Sequence, residues 1–130
     1  MTGRVFSGKG EGRNYLKLPW VKQQIKDKLD FIPFPGTLNL RLAEQSFASK
    51  EVLEKMKSAT FCQDEGYCVG ILFNAVVNGL ADLNCAVLIP MVENYPVEVL
   101  EVISPVNLRG TLRLKDGDLV TVQIQTVKDS

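Results

Sequence analysis

Two strand-forming runs, YCVGILFNAVV (67–77) and LADLNCAVLI (80–89), flank the dipeptide Asn78-Gly79. The type I′ two-residue hairpin turn needs positive φ at both central positions, and Asn-Gly is the pair that meets that need most readily. The middle of the chain is therefore expected to fold back on itself as antiparallel strands. TLNLRL (37–42) alternates, with Leu38, Leu40 and Leu42 on one face and Thr37, Asn39 and Arg41 on the other. GRVFS (3–7) and YLKLP (15–19) read as short strands, and LVTVQI (119–124) as a last strand entered from the turn KDGD (115–118).

Helices are few and short. Pro19 suits a first helical position, and Val21, Ile25 and Leu29 follow at i, i+4 and i+8, with a stop near Asp30 ahead of IPFPG. SKEVLEKMK (49–57) predicts a second helix with Ser49 as N-cap and Val52, Leu53 and Met56 buried. PVEVLEVIS (96–104) predicts a third, opened by Pro96, with Glu98 and Glu101 on one face. Strands that do not alternate regularly with helices argue against a doubly wound sheet. They fit a mainly β fold, a small closed barrel with short helical insertions. The 130 residues are expected to form one domain, 1–130.

Lys and Arg together number 15, as do Asp and Glu, so the formal net charge is zero. That disfavours nucleic acid as a partner, because binding it depends on neutralising phosphates. Trp20, the one tryptophan, falls in a helix rather than on a basic stacking face. MTGRVFSGKG lacks an apolar signal core, and AVLIPMV (86–92) is too short to span a bilayer, so a cytoplasmic protein without a membrane partner is expected, as a monomer. Cys62, Cys68 and Cys85 fit no common zinc spacing and read as buried or surface thiols, with a Cys62–Cys68 disulfide as the alternative. There is no histidine. Any chemistry must use carboxylates, lysines, hydroxyls, backbone amides or a metal held by oxygen.

Three stretches carry candidate chemistry. SGKGEGR (7–13) is neither a Walker A loop nor a dinucleotide fingerprint, since Arg13 stands where the third glycine of the fingerprint belongs. It reads either as a surface hairpin loop or as bare amides that cradle phosphate, with Lys9 and Arg13 supplying charge. Thr37 and Asn39 set a hydroxyl and a carboxamide side by side, hard oxygens suited to Mg²⁺ if a nucleotide brings the ion. EVISPVNLR (101–109) ends in a loop that exposes backbone amides and Arg109.

GKGEGR (8–13), FPGTLNLRL (34–42) and EVISPVNLR (101–109), in that order, resemble the archaeal CTP-dependent riboflavin kinase family. The resemblance implies a six-stranded cradle-loop barrel of the RIFT type. It also implies transfer of the CTP γ-phosphate to the 5′-hydroxyl of riboflavin, giving FMN and CDP. By carry-over, Gly8, Lys9, Gly10, Glu11, Gly12 and Arg13 would cradle the nucleotide with Val106, Asn107, Leu108 and Arg109. Thr37 and Asn39 would hold one Mg²⁺. Glu101 would contact the flavin substrate as general base or orienting group. Where the family commonly has an Arg-Thr pair, whose threonine contacts flavin, this chain has Val92 and Glu93, which makes Glu93 a second flavin candidate. A barrel of this family that binds nucleotide or flavin without turnover is the alternative.

Overall fold

The turn expected at Asn78-Gly79 forms, with φ of 50° and 72°, but not as a two-residue hairpin: the strand expected at 80–89 begins at Cys85, its first partner is Ala75, and Val76 and Val77 pair with Gln123 and Val122 instead. The computed structural model describes residues 1–8, 16–56, 59–64, 67–91 and 93–125, with backbone alone for 59–64 and 67–69. In chain order the elements are β1 (Thr2–Phe6), α1 (Pro19–Leu29), β2 (Leu38–Leu42), a 3-10 turn (Glu44–Ser46), α2 (Phe47–Lys55), β3 (Ala59–Asp64) and β4 (Tyr67–Val77). Then follow β5 (Cys85–Pro90), β6 (Val99–Ile103), α3 (Leu108–Thr111) and β7 (Leu119–Ile124).

The sheet order is β3-β4-β5-β6-β2-β1-β7, and β7 also pairs with β4. Every pairing is antiparallel. The closing pair sets Ala75 opposite Ile124 and Val77 opposite Val122, so β4, β5, β6, β2, β1 and β7 make a closed six-stranded barrel. Strand β3 runs beside the first half of β4, where it opposes Cys62 to Cys68. Asn78 locks the closure: its Oδ1 accepts from the Thr121 backbone N–H at 3.0 Å.

Alternation in the strands fills the barrel. Leu40, Val77, Val87, Val102 and Val120 are wholly buried inside it. Leu72 of β4, Ala86 and Leu88 of β5 and Ile103 of β6 face outward and are apolar as well, and α1 covers them. Val21 and Ile25 of that helix pack on Leu72, Ala86, Leu88 and Ile103 in a second cluster. Asp30 ends α1 in the left-handed region (φ 61°), its N–H returning to the Lys26 carbonyl.

Three further local expectations change. PVEVLEVIS is not a helix: residues 99–103 are β6, with Leu100 opposite Leu40 and Val102 opposite Leu38 inside the barrel. Pairing with β2 and β5 overrides the helix-compatible spacing, and Glu98 falls in the turn before β6 rather than on a face with Glu101. The second helix starts at Phe47, after the 3-10 turn, and has no side-chain cap bond. Ser46 Oγ instead accepts from the Thr2 N–H at 2.9 Å, and of the three expected buried residues Leu53 is buried while Val52 and Met56 are exposed. The expected strand at 15–19 does not form across its described residues, because Leu16 is helical and buried beneath α1.

Candidate active site

Strand register builds the site. Phe6 lies opposite Asn39, Asn39 opposite Glu101, and Glu101 opposite Leu88. Directly opposed residues share a face, so these form one row on the outside of the barrel, running from an open end at Phe6 to the surface that α1 covers at Leu88. Thr37, two residues before Asn39, projects to the same side. Its Oγ1 lies 2.9 Å from Asn39 Oδ1 and 3.3 Å from Glu101 Oε1. The hydroxyl has a single proton, so it serves one of these acceptors at a time, and the shorter contact favours Asn39. On the other carboxylate oxygen, the Tyr95 hydroxyl donates to Glu101 Oε2 at 2.5 Å. All four side chains are partly buried.

The start of the glycine segment reaches this row. A β-carbon on Gly8 would collide with Asn39 Nδ2 and lie 3.1 Å from its Cγ, so the carboxamide occupies the space that any larger residue would need. Beside it, the Ser7 hydroxyl donates to Asp116 Oδ1 at 3.0 Å and accepts from Arg109 Nη1 at 3.3 Å. Arg109 Nη2 pairs with Asp116 Oδ1 at 2.7 Å. The Arg109 guanidinium, together with the Ser7 hydroxyl, holds the exposed Asp116 carboxyl below its ordinary value.

Between the row and α3 lies a cleft of about 440 Å³, lined among others by Gly36, Thr37, Ser104, Val106, Asn107 and Arg109. The loop at 106–109 thus shares a cavity with Thr37. Within the loop the roles differ. Leu108 is buried in the barrel core, and its carbonyl accepts from the Leu112 N–H at 2.9 Å. Asn107 caps α3, its Oδ1 accepting from the Gly110 N–H at 3.3 Å. Arg109 carries the charge.

Lys9, Gly10, Glu11, Gly12 and Arg13 lie outside the described residues. Glu93 is exposed in the turn that leads through Asn94 (φ 64°) to Tyr95. Sequence reasoning missed Tyr95, Ser7 and Asp116. Tyr95 stands in the stretch PMVENYP, but a helix at 96–104 gave no reason to bring it to Glu101. Lys50 was also missed: it is 1 % exposed, and its Nζ donates to the carbonyls of Pro96 (2.9 Å) and Val99 (2.7 Å). Burial lowers its pKa against the opposing pull of Glu54, Glu98 and Glu101.

Among the described residues no cluster of three or more His, Cys, Asp or Glu side chains is placed to hold a metal. The available donors are the Thr37 hydroxyl and the Asn39 carboxamide oxygen, with the Glu101 carboxylate next to them. This all-oxygen set suits Mg²⁺ and is too weakly charged to bind it without further anionic ligands.

Fold and cleft together define a six-stranded β-barrel protein with a cleft lined by Thr37, Asn107 and Arg109, beside the Asn39 and Glu101 side chains that Thr37 contacts. Residues 5–124 match the model of the CTP-dependent riboflavin kinase family, described as domain of unknown function DUF120. Riboflavin kinase of Archaeoglobus fulgidus is 40 % identical over 128 residues, covering 95 % of this chain and 54 % of that protein. Riboflavin kinase of Methanosarcina mazei is 38 % identical over 129 residues, covering 96 % and 56 %. Riboflavin kinase of Ignicoccus hospitalis is 41 % identical over 128 residues, covering 95 % and 70 %. The chain belongs to the CTP-dependent riboflavin kinase family and spans about half the length of the first two of these relatives. No helix among the described residues is long and apolar enough to cross a membrane.

Proposed function

We propose that this chain is a CTP-dependent riboflavin kinase that moves the γ-phosphoryl group of CTP to the 5′-hydroxyl of riboflavin, releasing FMN and CDP. The observation that carries the reading is the junction of Gly8, Thr37, Asn39 and Glu101 on one face, beside the cleft that holds the 106–109 loop. Kinase relatives in the same family supply the substrate class.

In this reading the triphosphate lies between the amides at the start of the glycine segment and those of residues 106–109, and Arg109 exchanges Asp116 for phosphate oxygens. Thr37 and Asn39 would hold Mg²⁺, which would supply neutralisation of phosphate charge. Glu101 accepts a hydrogen bond from the ribityl hydroxyl and takes its proton as the oxygen bonds to the γ-phosphorus. The bridging oxygen to the β-phosphorus keeps the electron pair and departs in CDP. A loose phosphoryl-transfer transition state needs positioning and charge neutralisation more than covalent help, and this is what the arrangement offers. Glu93, two residues before Tyr95 in the chain, is assigned to the flavin.

Incubation with riboflavin, Mg²⁺ and each of CTP, ATP, GTP and UTP tests the proposal. FMN with CTP alone supports it. FMN with another nucleotide in place of CTP removes the donor assignment. Binding of CDP or FMN without turnover would instead make the chain a ligand-holding barrel.

A further inference from the structure

We infer that Tyr95 is a positioning residue for Glu101. This rests on Glu101 being the group that handles the acceptor hydroxyl.

A carboxylate has two oxygens and a freely rotating bond, so one neighbour does not fix its direction. Here each oxygen has a hydroxyl neighbour: Thr37 Oγ1 at 3.3 Å from Oε1, and the Tyr95 hydroxyl at 2.5 Å from Oε2. The two contacts differ in kind. The Thr37 proton is shared with Asn39 Oδ1, the nearer acceptor. The Tyr95 hydroxyl is the closer donor to Glu101, and it comes from a rigid ring rather than a rotating side chain. Tyr95 therefore does most to set the carboxylate plane, leaving the Oε1 edge turned toward Thr37 and Asn39.

The ring is fixed in turn. Lys50 Nζ sits 4.9 Å above its centroid, a cation–π contact. The same ammonium donates to the carbonyls of Pro96 and Val99, which bracket the turn between Tyr95 and β6. Lys50 is itself buried on α2. A line of contacts thus runs from α2 through Lys50 and the Tyr95 ring to the carboxylate. General-base work depends on holding the acceptor oxygen within hydrogen-bond reach of the substrate proton, so such a brace acts on turnover rather than on substrate affinity.

The test is a double-mutant cycle on Tyr95→Phe and Glu101→Ala, read in both catalysis and thermal unfolding. Tyr95→Phe keeps the ring over Lys50 and removes only the hydroxyl. It should lower kcat about tenfold while KM for CTP and riboflavin stays within about twofold. In the Glu101→Ala background the same change should cost nothing further in kcat, because a residue acting through a partner loses its effect when the partner is gone. Tm should follow: a fall of about 3 °C in the wild-type background and none in the Glu101→Ala background. Equal losses in both backgrounds, or a rise in KM with kcat unchanged, would overturn the inference. If the wild-type chain forms no FMN, the kinase reading fails by itself, and the Tm cycle still decides whether Tyr95 braces Glu101.

Discussion

The α-carbon of Gly8 rests against the carboxamide of Asn39, so closely that no β-carbon fits between them. One contact joins the amino-terminal glycine segment to the polar face of β2. Asn39 is also bonded to Thr37, which limits how far it can retreat. Gly8→Ala should therefore displace the carboxamide without unfolding the protein, because residue 8 is on the surface. Affinity for CDP in the presence of Mg²⁺ should fall about tenfold by calorimetry, with little change when Mg²⁺ is omitted. Equal affinity in both proteins would separate the glycine segment from the Asn39 face.

Asn39→Ala removes the carboxamide and leaves the buried leucines of β2 in place. Turnover at fixed Mg²⁺ should fall about 10²-fold, while Tm stays within about 2 °C. Recovery of part of the rate at raised Mg²⁺ would identify the lost group as a metal ligand. An unchanged rate would remove that role.

Asp116 offers a pH test. Its pKa lies below its ordinary value of 3.8 because Arg109 and Ser7 donate to the ionised form. The unfolded chain binds this proton more readily, so the pairing stabilises the fold above pH 3.8 and is lost as pH falls through the lower folded value. Asp116→Asn should be slightly less stable than wild type at neutral pH, and the difference should close below pH 3.8. A gap in Tm that persists into stronger acid would contradict the pairing. The same substitution frees Arg109 and removes a negative charge beside the phosphate path, so nucleotide affinity should rise at low salt.

Lys50 is the buried cation that ties α2 to the entry of β6. Lys50→Met keeps the length of the side chain and removes both donors to Pro96 and Val99, at a cost of about 1–3 kcal/mol in chemical denaturation. Burial depresses the lysine pKa, so the unfolded chain holds more protons between that lowered value and 10.5. Wild-type stability should accordingly gain on the variant as pH rises toward 10.5. A constant difference across that range would mean that the ammonium is not desolvated.

The parts of the fold that could be read from the chain were those with local causes. Asn78-Gly79 dictates its own turn, the leucines of TLNLRL alternate without exception, and Pro19 with Val21 and Ile25 marks a one-sided helix. The error at 96–104 was of another kind. Val, Leu and Ile there satisfy both helical and strand spacing, and only pairing with β2 and β5 decides between them, a choice made far away in sequence. The site suffered from the same limit. Thr37 and Asn39 were legible because they share one strand face. Tyr95 and Lys50 were not, since each gains its role from a contact that exists only once β6 has formed. Ser7 and Asp116 meet beside the pairing of β1 with β7, the first and last strands in sequence, which no local pattern records.

The central claim is that the glycine segment, the Thr37–Asn39 pair and the 106–109 loop enclose one metal–nucleotide site. Replacing Mg²⁺ by paramagnetic Mn²⁺ in the presence of CDP, and recording amide NMR spectra, tests it directly. The account predicts that the amides of Gly8, Thr37, Asn39 and Arg109 broaden together, and that those of the Val52–Leu53 turn of α2 stay sharp. Broadening confined to another surface, with Thr37 and Asn39 unaffected, would contradict it.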